Sequence, residues 1–535
     1  MTIEIRNPSR DLRANARIQD VFRSKLSLFP GTAYSRTDVD LAVAVARRSA
    51  DIGEATHSIA FGQAGGVVVT VALTLKDPDG RSAPRGLFAT GDPRSFPLLY
   101  DANGALVTAK LETFALHYGN GNAWYGRPDR LLAGNPLVVG TPAGRGYRHW
   151  AEGYVHTGLY GLIPLTDALY AYGGASVLAS GSVGRELFTN ETRGYVGVED
   201  AYVGLIAGYT DEAGNRLAAN ATFGRKRFML GEGFLIANTA MNGGSRAALQ
   251  ANPRWAADNL ALVSLRYNNT RLEAFRVNPD ELPILDSKTV IDGINLETRL
   301  DGGLSLGASL LHVPRSNTNY FTPTATFGRE GLQVFDGRFR WQPNGPGQAG
   351  PFVAGEAALQ RNARFDMRAY AFTGEAGWSF ADAPWSPTAS YRYAQFSGDN
   401  PGTARFERWD PLLSGGNGEQ WVQGINDFKV VQNSNVVAHR FQLRMRPYPS
   451  IELVPQFWVF RAESLINLGG NPALSFLGSK DYGKEINMTV KYMPSRSLYV
   501  QGHVALTFPG DAVTRALGTK PPPWTSTMLF VRYAF

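Results

Sequence analysis

Arginine occupies one face of a two-residue period in three short stretches. It falls at Arg440, Arg444 and Arg446 in VAHRFQLRMR, at Arg338 and Arg340 in FDGRFRW, and at Arg299 in INLETRL, each time with apolar neighbours on the opposite face. A guanidinium stays charged at any relevant pH, and its planar fork pairs bidentately with a carboxylate. Acids are set among these arginines: Glu297 and Asp336 in the same stretches, and Glu485 in EINMTVKY. Such a set suits the passage of an anion, because the arginines attract a carboxylate while the acids keep each contact weak enough to release. The same residues also describe ion pairs that only stiffen a wall, and both readings stand at this point.

Other chemistries find little support. Cysteine is absent, which removes disulfide frameworks, thiolate metal sites and cysteine nucleophiles together. The seven histidines (His57, His117, His149, His156, His312, His439 and His503) show none of the short spacings of a metal site. His149 and His156 stand seven apart, a coincidence of spacing. No motif pairs a serine with a histidine as nucleophile and base. GRKRFMLGEGF lacks the Gly-x-x-x-x-Gly-Lys-[Ser/Thr] form of a phosphate loop. DPDG at 77–80 reads as a turn, since the later ligands of a calcium loop are missing. Net charge +7 and a pI near 9.4 raise the question of nucleic acid, but Lys and Arg are spread along alternating stretches and form no stripe or recognisable module. No catalytic residue, metal, cofactor or nucleic-acid partner is expected.

The elements that hold these arginines are strands. Of 535 residues, 59 are Gly, 22 Tyr and 29 Phe, and only 19% are charged, a mixture suited to many strands joined by turns. From about residue 150 onward, alternating segments of roughly nine to twelve residues recur between Gly, Pro, Asn and Asp clusters. Soluble strands average about five or six residues, whereas a tilted bilayer crossing needs about 9–11. No uninterrupted apolar run of about 18 residues occurs, which excludes a transmembrane helix. Mean hydropathy of −0.19 is compatible with a transmembrane barrel, in which only alternate residues meet lipid.

The expected fold is all-β: a transmembrane antiparallel barrel of about eighteen strands, with long extracellular loops at 229–256, 314–330, 398–431 and 509–523 and short periplasmic turns such as MPSRS. Trp341, Trp378, Tyr492 and Trp524 are placed in interfacial girdles. Residues 1–30 are read as an arm or short helix and 31–535 as a single barrel. The start, MTIEIRNPSR, shows no basic region followed by an apolar one, so an exported protein would be represented here by its mature form. In the closing TMLFVRYAF, Leu529, Val531, Tyr533 and Phe535 share one face. An arginine facing lipid near the midplane costs about 2–4 kcal/mol, so the strand arginines are expected to point into an aqueous lumen that attracts anions.

Two further stretches, EDAYVGL…ATFGRKRFMLGEGFLI (199–236) and YRYAQFSGDNPGTARFERWDPLLSGG (391–416), resemble the alginate-export family of bacterial outer-membrane proteins. The resemblance rests on Gly224-Arg225, Gly231 and Gly233, then Ser397-Gly398-Asp399 and Asp410-Pro411-Leu412, and spans about residues 150–535. Lys226 replaces the family's Gln and adds positive charge, while the first 130 residues fall outside. The resemblance implies an eighteen-stranded barrel passing an anionic exopolysaccharide through an arginine-rich lumen, with Arg225 joining the anion path. It also gives Leu529, Val531, Tyr533 and Phe535 the role of a terminal signal for the barrel assembly machinery. The expected setting is the lipid bilayer of the bacterial outer membrane, with the chain as a monomer. A substrate-specific uptake porin for small anions or oligosaccharides, and an adhesive or scaffold barrel, remain alternatives.

Overall fold

The computed structural model describes residues 2–5, 43, 52–61, 67–75, 98–102 and 105–534, the last range apart from 167, 214, 346, 416–423 and 496. The first strands are not part of the barrel. β1 (Thr2–Ile5), β2 (Ile52–Phe61) and β3 (Val67–Leu75) make a three-stranded sheet in the order β1-β3-β2, with β1 parallel and β2 antiparallel to β3. This corrects the expected division at residue 30. β3, VVVTVALTL, carries no charged residue and, among the described residues, pairs only with β1 and β2. The helix expected within residues 1–30, the turn at 77–80 and Phe535 lie outside the described residues.

β4 (Leu98–Ala102) pairs as a hairpin with β5 (Ala105–Gly121), the first long strand. Next come β6 (Tyr147–Pro164), β7 (Leu169–Gly184), β8 (Arg193–Thr210), β9 (Arg216–Arg225), β10 (Asn259–Tyr267), β11 (Thr270–Asn278), β12 (Val290–Arg299) and β13 (Leu304–Arg315). A small loop hairpin, β14 (Asn319–Phe321) and β15 (Thr326–Gly328), precedes β16 (Leu332–Trp341), β17 (Gly350–Asn362), β18 (Ala369–Ser379) and β19 (Thr388–Phe396). The last five are β20 (Val436–Tyr448), β21 (Ile451–Arg461), β22 (Asp481–Tyr492), β23 (Leu498–Pro509) and β24 (Trp524–Ala534). Each long strand pairs antiparallel with its neighbour, and β24 returns to β5 from Thr525↔Gly121 to Ala534↔Glu112. The result is a closed eighteen-strand antiparallel barrel. Closure removes the sheet edge that a bilayer would not tolerate. No helix among the described residues is long and apolar enough to cross a membrane, which says nothing against crossing by strands.

The two faces follow the period of two. On β12, Ile294 and Leu296 are 52% and 44% exposed while Asn295 between them is fully buried. On β24, Leu529, Val531 and Tyr533 face outward, and Arg532 faces in. Outward apolar rows and inward polar rows of this kind are what lipid outside and water inside select. One end carries tight turns, for instance Asn268-Asn269 between β10 and β11, where Asn268 takes φ 50°, as hairpin turns of this length require. The other end carries the long connections 122–146, 226–258, 316–331, 397–435, 462–480 and 510–523. Trp341, Trp378 and Tyr492 are outward and exposed, but Trp524 is fully buried. Its position on β24 has inward parity, and its Nε1 donates to Asn120 Oδ1 at 2.7 Å within a cluster with Trp124 and Tyr125. It is therefore not part of a girdle.

Candidate functional site: the lumen wall and the loops folded into it

Inward strand positions carry three ion-pair hubs. On β11 to β16, Arg338 binds Glu297 and Asp336, each at 2.7 Å, and donates to Ser309 Oγ at 2.8 Å, while Arg271 also pairs with Glu297. On β18 to β20, Glu375 takes Arg440 on one oxygen at 2.6 Å and Arg392 on the other at 2.7 Å. On β20 to β22, Glu452 takes Arg444 at 3.0 Å, Arg446 at 2.8 Å and Lys491 at 3.2 Å. In the last two hubs cations outnumber the carboxylate. The alternation along single strands does not single out Glu375 and Glu452. Their signal is there, since each stands at an inward position level with an arginine on the neighbouring strand or close to one, but strand pairing must be known before it can be read.

Arg299 and Arg340 differ from the rest. They lie level with Ser305 on β13, one on each side, in the register Arg299↔Ser305↔Arg340 near the turn end. Among the described residues neither forms an ion pair. Arg340 lies over the Phe352 ring at 5.3 Å and reaches Gln342 at 3.5 Å.

Arg225 stands away from these, at the loop end of β9. Gly224 before it has φ +123°, and a Cβ there would meet the Ala201 carbonyl oxygen at 2.3 Å, so only glycine lets the chain leave the strand here. Arg225 binds Asp258 at 2.6 Å and Asp280 at 2.8 Å, and Asp280 also takes Arg246 and Arg254. Burial pushes the Asp280 carboxyl up, but the three guanidinium groups outweigh it and hold the group below the usual carboxylate range. This cluster secures the base of the 226–258 loop.

Glu485 is the clearest departure from expectation, which made it an acidic partner of the arginines. Fully buried, it instead accepts the backbone N–H groups of Ile425 (2.6 Å), Asn426 (2.9 Å) and Asp427 (3.1 Å), with Asn487 and Thr507 donating from the wall. Those N–H groups begin the short helix Asp427–Val431 and point at the carboxylate, which they stabilise. Glu152 on β6 binds Gln250 and Ala251 of the 226–258 loop in the same way, and Glu199 on β8 binds Trp255 and Ala256. Inward carboxylates thus dock two long loops inside the barrel.

The docked loops meet each other. Ala237 N–H donates to Leu413 O at 2.9 Å and Leu413 N–H to Leu235 O at 3.2 Å, with Phe234 beside Phe396 and Trp409. The family-like residues serve this packing. Asp410 is held by Arg329 and Tyr320, Ser397 Oγ donates to Glu407 O, and Gly231 sits against Arg338, where a Cβ would lie 3.0 Å from its Nε. The loop half of the lumen therefore holds an apolar core. Beside that core, Arg227 stacks over Trp255 at 4.2 Å.

His149 and His156 point to opposite faces of β6. His156 Nε2 lies 2.8 Å from Ser176 Oγ, a pair that spacing does not suggest. Asp200 binds the serine at 2.7 Å, and Lys110 lies at His156 Nδ1. The carboxylate does not hold the imidazole by its far nitrogen, so the arrangement lacks the order of a nucleophile, base and orienting acid.

A family model described as alginate export matches residues 184–522. Among solved structures, the outer-membrane protein OpdK from Pseudomonas aeruginosa is 12% identical over 80% of this chain and 98% of that chain, with a TM-score of 0.46. OccAB2 of Acinetobacter baumannii is 10% identical over 80% and 98%, with a TM-score of 0.45. OccK2 (OpdF) of P. aeruginosa is 14% identical over 80% and 97%, with a TM-score of 0.46. No curated protein matches the chain. The family model covers well over half of the sequence, in the region where the resemblance was read: the chain belongs to the alginate-export family and is a channel-type β-barrel of the bacterial outer membrane.

Proposed function

We propose that the channel passes an anionic solute, an acidic exopolysaccharide of the alginate kind, and that lumen arginines are its contact surface. The observation that carries this reading is the pair Arg299 and Arg340, level with each other near the turn end and free of carboxylate partners among the described residues. An anion arriving from the periplasm would meet them first. Behind them, Arg392 and Arg440 share Glu375, while Arg444, Arg446 and Lys491 share Glu452. The surplus of cations favours anions, and each carboxylate competes for them, which keeps binding reversible. Arg338, with several acceptors, acts in this reading as a wall brace, and Arg225 as a loop brace.

Planar-bilayer recordings test the proposal. Reversal potentials should show anion preference, and oligouronate should block the current where neutral oligosaccharide of equal length does not. Cation preference would overturn it, as would an absence of current, which the scaffold reading expects. Uptake of small anions is a second reading, favoured by the paired loops that occupy the loop half of the lumen. Under it, short anions permeate and oligouronates neither permeate nor block.

The outward row Leu529, Val531 and Tyr533 on the last strand, together with the terminal Phe535 of the sequence, is proposed as the contact for the barrel assembly machinery, with the inserted barrel acting as a monomer. Truncation of Phe535 should leave the chain heat-insensitive on a gel if assembly depends on it.

A further inference from the structure

The outer face of the barrel is not uniformly convex. Between β6 and β16 it carries an open groove of about 1380 Å³. Its floor is made of small residues, including Ala171, Gly173, Ala221, Ala261 and Ala274, and its flanks of exposed Val203, Phe223, Ile294 and Phe335. Toward the loop end the apolar lining stops at Arg276, Asp292, His312 and Gln333. These four are one register row, Arg276↔Asp292↔His312↔Gln333, and Arg361 on β17 extends it. Gln333, His312 and Arg361 are exposed on the outward face. Arg276, 63% exposed, pairs bidentately with Asp292. Just beyond the row, Arg364 pairs with Glu330.

A polar row at this height has a physical cause. The loop end of an outer-membrane barrel is extracellular, so the row lies where the outer leaflet's headgroups begin and the groove where its acyl chains lie. Across five strands, the row spans about 19 Å at the usual interstrand spacing of about 4.8 Å. That is wider than the two chains of a phospholipid. Arg361, which forms no ion pair among the described residues, suits bidentate phosphate, and Arg276, whose Nε and Nη2 hold Asp292, adds its Nη1 side.

We propose that the groove is a binding site for a phosphorylated, multiply acylated glycolipid of the outer leaflet, with acyl chains against the small-residue floor and phosphate at Arg276 and Arg361. The small side chains give the floor its depth, so chains packed there make contacts that an ordinary convex wall denies them. The site lies outside the lumen and does not depend on which solute the channel carries.

Native mass spectrometry of the purified full chain in mild detergent, with hexa-acylated lipid A added, tests this. One lipid A should stay bound per chain. A groove-filling Ala261→Phe should cut retention at least ten-fold, and the exposed pair Arg276→Gln with Arg361→Gln at least five-fold. Heat-modifiable migration confirms that each variant is folded. Equal retention of phosphatidylglycerol, equal retention of dephosphorylated lipid A, unchanged retention by both variants, or a dimer of the chain in place of a lipid adduct would each overturn the proposal.

Discussion

Arg444 and Arg446 hold opposite oxygens of Glu452, at 3.0 Å and 2.8 Å, and Lys491 joins the first of these oxygens at 3.2 Å. One nearly inaccessible carboxylate on β21 thus ties three strands through their inward cations. Removing it takes from three cations the carboxylate they share, and breaking a buried pair costs about 3–5 kcal/mol. Glu452→Gln should therefore lower the temperature of heat-modified migration and raise anion preference together. An unchanged anion preference would show that the hub does not border the conduction path.

Arg299 and Arg340 should behave in the opposite way. With no ion pair to lose among the described residues, Arg299→Gln with Arg340→Gln should leave heat modifiability unchanged. Each removes an attraction on the order of 1 kcal/mol for a hydrated anion, so the anion-to-cation permeability ratio should drop several-fold. An unchanged ratio would exclude them from the anion's route.

Glu485 acts through the 397–435 loop. Glu485→Ala leaves backbone N–H groups of residues 425–427 without their acceptor, at about 1–3 kcal/mol for each buried donor. The loop should undock while the wall stays closed, since β22 keeps its strand partners. Single-channel conductance should rise and its open-state noise increase. A conductance equal to that of the parent would mean that the docked loop does not narrow the path.

Lys429, in the helix that Glu485 caps, gives a pH signature. Burial pulls its ammonium down to about 8, against an opposing pull from Glu485. A lysine lowered on folding is more readily deprotonated in the folded state than in the unfolded one. Its penalty is therefore present in full below about pH 8 and is relieved as pH rises toward the ordinary lysine value near 10.4. Thermal stability of the parent should gain a component between about pH 8 and 10 that Lys429→Met lacks. Parallel pH curves for the two proteins would refute this assignment.

Much of the architecture is legible in the order of the amino acids, because a bilayer imposes a period of two on every strand that crosses it. The alternation in INLETRL, FDGRFRW, VAHRFQLRMR and EINMTVKY identifies strands and puts their arginines on the polar face, and strand length with long and short connections identifies the barrel. The same rule fails where the bilayer does not act. β3 alternates as a strand but pairs in a separate sheet. Trp524 reads as a girdle residue but has inward parity.

What the sequence determined alone is thus each residue's face, since that depends only on parity along its own strand. What only the tertiary structure decided is each residue's partner. Ion pairing is set by register across strands and by loops far away in the chain, so Glu485 could be counted as lumen acid but not seen to bind the backbone of residues 425–427. Arg299 and Arg340 look like Arg338 in sequence. They differ because pairing brings Glu297 and Asp336 to Arg338, whereas Ser305 is the residue it sets between the other two.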